Sequence, residues 1–167
     1  PKTYLTFFIA TIAISGIPPF AGFFSKDEIL AHAFMYNKFF WLIGALTSVL
    51  TAFYMFRLFY LTFFGKFRGT EKQEHHLHES PKTMTIPLMI LAALSLACGL
   101  IGIPEVFGGS HFLKEFLEPV FAASDFKMLP KEMSHSTEII LMIIAVLAAA
   151  VSIYSAWYYF VKKENIP

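Results

Sequence analysis

Apolar residues fall in four long stretches along this chain, separated by polar loops and interrupted once. A membrane-crossing helix needs roughly 20 apolar residues at about 1.5 Å of rise each. Three stretches meet that length without interruption: Phe39 to Phe64, Thr83 to Ile103, and Glu138 to Val161. Ser80-Pro81 before the second and Ser136-Thr137 before the third supply N-cap residues, with Pro81 at a first helical position. The fourth stretch runs from Thr3 to about Tyr36 and contains the interruption. Thr3 to Ile14 and Phe20 to Tyr36 are each too short to cross alone, and together they are long enough. The pattern predicts an all-α integral membrane fold of four transmembrane helices, the first of them discontinuous.

The interruption reads SGIPPFAGFFSKDEIL, Ser15 to Leu30. Proline removes a backbone donor and blocks the carbonyl four residues earlier, so Gly16-Ile17-Pro18-Pro19 ends the first half-helix near Ile14. Non-helical backbone at membrane depth survives only where protein or a watery cavity surrounds it. Half-helix ends of this kind recur in ion and substrate transport. Three charges follow the break. An ionised side chain at a helix centre costs about 2.5–3.5 kcal/mol on insertion scales. Lys26 lies ~16 Å from the outer end of its half-helix at the α-helical rise, close to mid-membrane. Charge on an amine is costly away from water, which makes Lys26 a candidate proton carrier. Asp27 and Glu28 point to other azimuths, and Glu28 shares a face with His32 four residues on. That pair can pass a proton outward from Lys26 through water. The competing reading is a solvated loop in which Lys26-Asp27-Glu28 does nothing; the apolar flanks on both sides argue against it. Arg57 is the second intramembrane charge, ~12 Å from the inner face at the helical rise. It reads equally as a channel residue or as an anchor that snorkels. Direct pairing with Asp27 is disfavoured by a depth difference of ~10 Å on the same scale.

Lys and Arg set orientation. Lys2, Lys66, Arg68, Lys72, Lys82, Lys162 and Lys163 fall on one face, and Lys38, Lys114, Lys127 and Lys131 on the other. The first face is cytoplasmic on this count. The chain then divides into 1–66, the broken helix and second span; 67–82, a polar cytoplasmic linker; and 83–167, two spans joined by a long outer loop at 104–136. In that loop Phe112 to Phe121 has helical spacing and is expected to lie along the interface.

Composition agrees: 56% of the 167 residues are hydrophobic and 15% charged, against ~25% charged in ordinary soluble domains. A formal net charge of +1 gives no basis for nucleic-acid binding. Cys98 is the single cysteine, so no intrachain disulfide forms. A start at Pro1 with no leader pattern is read as a piece of a longer protein. His75, His76 and His78 lie in a polar loop without metal-ligand spacing, and His111 and His135 say little. No phosphate loop, dinucleotide fingerprint or nucleophile motif appears, so no metal or redox cofactor is expected in this chain.

The block from Gly16 to Leu30, with "AFYMFRLFYLTFFGK" (Ala52 to Lys66) and "HESPKTMTIPLMILAALSLACGLIGIP" (His78 to Pro104), resembles the antiporter-like subunit L family of proton-pumping NADH:quinone oxidoreductase, respiratory complex I. The resemblance covers essentially the whole chain, apart from the loop Glu105 to Ser136. It implies that Lys26 belongs to a proton path on a broken helix and that Asp27 is linked to pumping. It implies partners in the other membrane-arm subunits, in the lipid bilayer and in the remainder of the chain's own subunit. NAD, FMN, iron–sulfur clusters and quinone are then bound by partner subunits. The expected location is a bacterial inner membrane or an equivalent energy-transducing membrane. Two rival readings stand beside it: the large subunit of a multisubunit Na+/H+ antiporter, and a structural membrane segment that carries no ions.

Overall fold

The computed structural model describes residues 1–65, 67, 69–99, 116 and 134–163. The expected interfacial helix Phe112–Phe121 and nearly all of the outer loop 104–136 lie outside the described residues. The helices are α1 (Lys2–Ser15), α2 (Ala21–Tyr36), α3 (Lys38–Phe63), α4 (Glu71–His75), α5 (Lys82–Ala97) and α6 (His135–Trp157), the last continued by a π-helical turn, Tyr158–Lys162. Among the described residues, two runs are long and apolar enough to cross a membrane: Lys38–Phe63, 26 residues, and His135–Lys162, 28 residues. The apolar helices α1 and α5 are shorter, 14 and 16 residues.

The expected break is present between α1 and α2. Gly16 adopts a left-handed φ of 74°. The Gly16 N–H donates to the Ala13 carbonyl and the Ile17 N–H to the Ile12 carbonyl. This double closure satisfies two carbonyls that the end of α1 would otherwise leave bare, and it needs the backbone freedom of glycine. The chain passes through Pro18-Pro19 and re-enters a helix at Ala21.

At the other end of α2, Asn37 alone makes the turn. Its N–H donates to the Ala33 carbonyl, and its Oδ1 accepts from the Phe39 N–H at 2.8 Å, capping α3. Two other expected caps are displaced. Pro81 is itself the N-cap of α5, because the Met84 and Thr85 N–H groups donate to its carbonyl. Helix α6 starts at His135 rather than after Ser136-Thr137, since Thr137 and Glu138 already bond back to the Ser134 carbonyl. The linker also holds an unexpected short helix, α4, closed by a capping box between Thr70 and Gln73.

The most extensive contact joins α3 and α6. Helix α6 brings small buried residues, Ala149, Ser152 and Ala156, to a bundle in which Ala52 is fully buried. Small residues let membrane helices approach closely, and the Ser152 hydroxyl donates to the Val49 carbonyl across the seam at 2.7 Å. Toward the N-terminus of α1, an aromatic cluster centres on Phe59, which is 2% exposed and packs on Tyr4, Phe7, Phe8 and Phe63. Glu79 from the linker accepts from the Lys2 and Thr3 N–H groups and from the Thr3 hydroxyl, covering donors that open α1. The Thr3 hydroxyl bond holds the Glu79 carboxyl below its ordinary pKa. The exterior is apolar, with Leu46, Leu50, Leu91 and Leu147 all exposed. Such a surface suits lipid or further helices.

Two glycines seat the break. A Cβ on Gly22 would strike the Ala13 carbonyl, and one on Gly99, just past α5, would strike the Pro19 carbonyl and the Ala21 amide. Gly22→Ala is therefore expected to cost about 1–3 kcal/mol, the usual range for overpacking. Thermal melting of the detergent-solubilised protein measures it; an unchanged midpoint would mean that α2 does not rest on the end of α1.

Candidate functional site

Lys26 lies on the second turn of α2, a little beyond the break. Side chains on a helix lean toward its N-terminus, and Lys26 leans back over the turn: a Cβ on Gly16 would lie 3.2 Å from its Cδ. The absent side chain at Gly16 makes room for the lysine stem. The stem thus crosses the C-terminal end of α1, where the helix dipole favours positive charge. The amine reaches α3 and donates to the Ser48 hydroxyl at 3.3 Å. Ser48 lies ~15 Å along α3 from its start at Lys38, at 1.5 Å per residue. The Lys26 amine thus meets α3 partway along its length, not at its end.

Asp27 turns about 100° away from Lys26, as helical geometry requires, and becomes buried at 5% exposure. It lines a cavity of about 110 Å³ between α2, α3 and α6, partly open to the outside past Leu42, Leu46 and Ile144. Ser48 and Trp41 also line it, and Leu30, Leu141 and Ala145 supply apolar wall. A water molecule occupies about 30 Å³ of liquid and needs two to four polar partners. The cavity has room for a few waters, and Asp27, Ser48 and Trp41 are the residues of its mostly apolar lining that carry polar side-chain atoms. Glu138, in the first turn of α6, is near enough for its charge to act on Asp27.

Of the site residues expected from sequence, Lys26 bonds to Ser48, and Asp27 lines the cavity that Ser48 also lines. Glu28 and His32 share a face, as their spacing predicts, but that face is exposed and turned away from the cavity. Arg57 is apart from this site. It is exposed, with its guanidinium 5.5 Å from the centroid of the Phe160 ring. His75, His76 and His78 are exposed in the linker. Ser48, Trp41 and Glu138 were not anticipated. Their one sequence signal is polarity inside or beside an apolar span, which Thr47 and Thr51 share.

Residues 1–51 match the family described as NADH:quinone oxidoreductase/Mrp antiporter, TM. The match takes in the break, Lys26, Asp27 and Ser48. Chain 5 of the NAD(P)H-quinone oxidoreductase of a Picosynechococcus strain is 52% identical over 122 residues, 62% of this chain and 18% of that protein. Subunit 5 from the chromatophore of Paulinella chromatophora is 43% identical over 152 residues, 78% of this chain and 23% of that protein. The chloroplast subunit 5 of Mesostigma viride is 34% identical over an alignment of 174 residues, 99% of this chain and 25% of that protein. This chain belongs to the chain 5 family of NAD(P)H-quinone oxidoreductase. It spans about a quarter or less of the length of the curated relatives it matches. Cyanobacterial, chromatophore and chloroplast relatives agree with the apolar helices in making it an integral protein of an energy-transducing membrane.

The position of Arg57 fits the anchor reading. Arg57→Ala is expected to cost about 0.5–1 kcal/mol, the value of an exposed cation–π contact. Chemical denaturation in detergent measures this. A loss above about 3 kcal/mol, the scale of a broken buried ion pair, would contradict it.

Proposed function

We propose that this chain carries part of a proton path in the membrane arm of an NAD(P)H-quinone oxidoreductase. In this reading it crosses the bilayer four times, by α1 with α2, by α3, by α5 and by α6. The short helices are α1, which leads into the break, and α5, Lys82–Ala97. Electron transfer from NAD(P)H to quinone belongs to partner subunits, which bind NAD, FMN, iron–sulfur clusters and quinone. The residues of this chain hold and move protons. Its partners are the other membrane-arm subunits, the remainder of its own subunit and the lipid.

One observation carries the proposal: an amine that meets α3 partway along its length, lodged against an interrupted helix and bonded to a neutral hydroxyl, beside a cavity that also holds a buried carboxylate. A purely structural segment has little use for this, since each buried ionisable group costs free energy that an apolar residue would not. Lys26 and Asp27 can alternate as proton holders because neither is locked to the other. The relatives named above are quinone-oxidoreductase chains, which favours that enzyme over a sodium/proton antiporter.

Lys26→Met in the intact complex is expected to lower the number of protons moved per electron while the complex still assembles. Acidification of inverted membrane vesicles during NAD(P)H oxidation, set against quinone reduction, measures that ratio. An unchanged ratio would overturn the assignment.

A further inference from the structure

The proton path proposed above needs a link between Lys26 and Asp27, which are adjacent in sequence and point in different directions. The Lys26 amine donates to Ser48, not to Asp27. Ser48 is the residue common to both: it accepts from the amine on one side and lines the Asp27 cavity on the other. Among the described residues, no second hydrogen bond engages its hydroxyl, so its own O–H is free to turn into the cavity. Its neighbours Thr47 and Thr51 instead donate to carbonyls of their own helix, Ile43 and Thr47, at 2.8 and 2.7 Å. Immediately after Ser48, the Val49 carbonyl is held by Ser152 of α6. That bond fixes α3 against α6 beside the cavity wall, so the hydroxyl is presented from an anchored stretch of backbone.

We propose that the Ser48 hydroxyl is a proton relay between Lys26 and Asp27, acting through water in the cavity between α2, α3 and α6. The Lys26 ammonium gives a proton to the Ser48 oxygen as the Ser48 O–H gives its own to a cavity water. That water in turn protonates the Asp27 carboxylate. One N–H bond is lost and one O–H bond gained at the carboxyl; the hydroxyl and the water each end with the number of protons they began with. Ammonium and carboxylate become amine and carboxylic acid, and rotation of the Ser48 hydroxyl resets the chain. The transfer runs equally in reverse. It rests on the assignment of Lys26 and Asp27 to a proton path, and it adds α3 as a participant.

The test uses the whole oxidoreductase in inverted vesicles, with Ser48→Ala, Ser48→Thr, Lys26→Met and the double variant Lys26→Met/Ser48→Ala. Proton movement is read per assembled complex, quantified on native gels, so that any loss of assembly is divided out. A hydrogen bond to a charged group is worth roughly tenfold in rate. Ser48→Ala is therefore expected to slow proton movement roughly tenfold, with Ser48→Thr restoring most of it because the hydroxyl is kept. The double variant should be no worse than Lys26→Met alone, since both act on one path. If Lys26→Met impairs pumping and Ser48→Ala does not, the relay is wrong and the path assignment stands. Additive losses in the double variant also overturn the relay. If Lys26→Met itself leaves pumping intact, the path assignment fails first.

Discussion

A helix interrupted away from water must satisfy its own loose backbone groups, because hydrocarbon offers them no partner. The structure around Gly16 to Phe20 follows from that requirement. Gly16 and Ile17 turn their N–H groups back onto α1. Gly22 lets α2 rest on the Ala13 carbonyl, and Gly99 brings α5 against the Pro19 carbonyl and the Ala21 amide. The break is thus closed by backbone at short range, with no large side chain interposed. The Lys26 stem lies over Gly16, where a side chain would otherwise stand.

The placement of charge follows from the same geometry. A lysine bonded directly to an aspartate in low dielectric is hard to discharge, since removing either charge strands the other. Here successive positions on α2 send Lys26 toward Ser48 and Asp27 into the cavity, so a neutral hydroxyl stands between them. Each group keeps a polar neighbour, and neither is trapped in an ion pair with the other. Asp27 is buried and Lys26 half-buried, while the cavity provides room for water. Glu138 adds negative charge near Asp27 from α6, so the site draws on three helices rather than on the broken one alone.

Much of this was legible in the sequence. Gly-Ile-Pro-Pro announces the break because proline chemistry acts locally, and the depth of Lys26 follows from counting residues at a fixed rise. Azimuth was harder. Lys26, Asp27 and Glu28 take three successive azimuths on α2, so no single stripe says which face is inward, and the outward-facing positions of Glu28 and His32 could not be read from spacing. Ser48 was invisible for a similar reason. Thr47, Ser48 and Thr51 look alike in the chain, and only the packing of α2 on α3 singles out the middle one. Glu79 clasping the start of α1 and the small helix α4 were missed as well. The first is a contact between distant segments; the second was signalled by Thr70 and Gln73 at capping-box spacing.

Whether Lys26 shares a hydrated site with Ser48 and Asp27 is decided by a map of the intact complex at a resolution that shows ordered water. At least one water is expected in the cavity between α2, α3 and α6, hydrogen-bonded to Asp27 and within reach of Ser48, with the Lys26 amine on the Ser48 oxygen. A dry cavity, or a Lys26 side chain extended into lipid, would contradict the shared site.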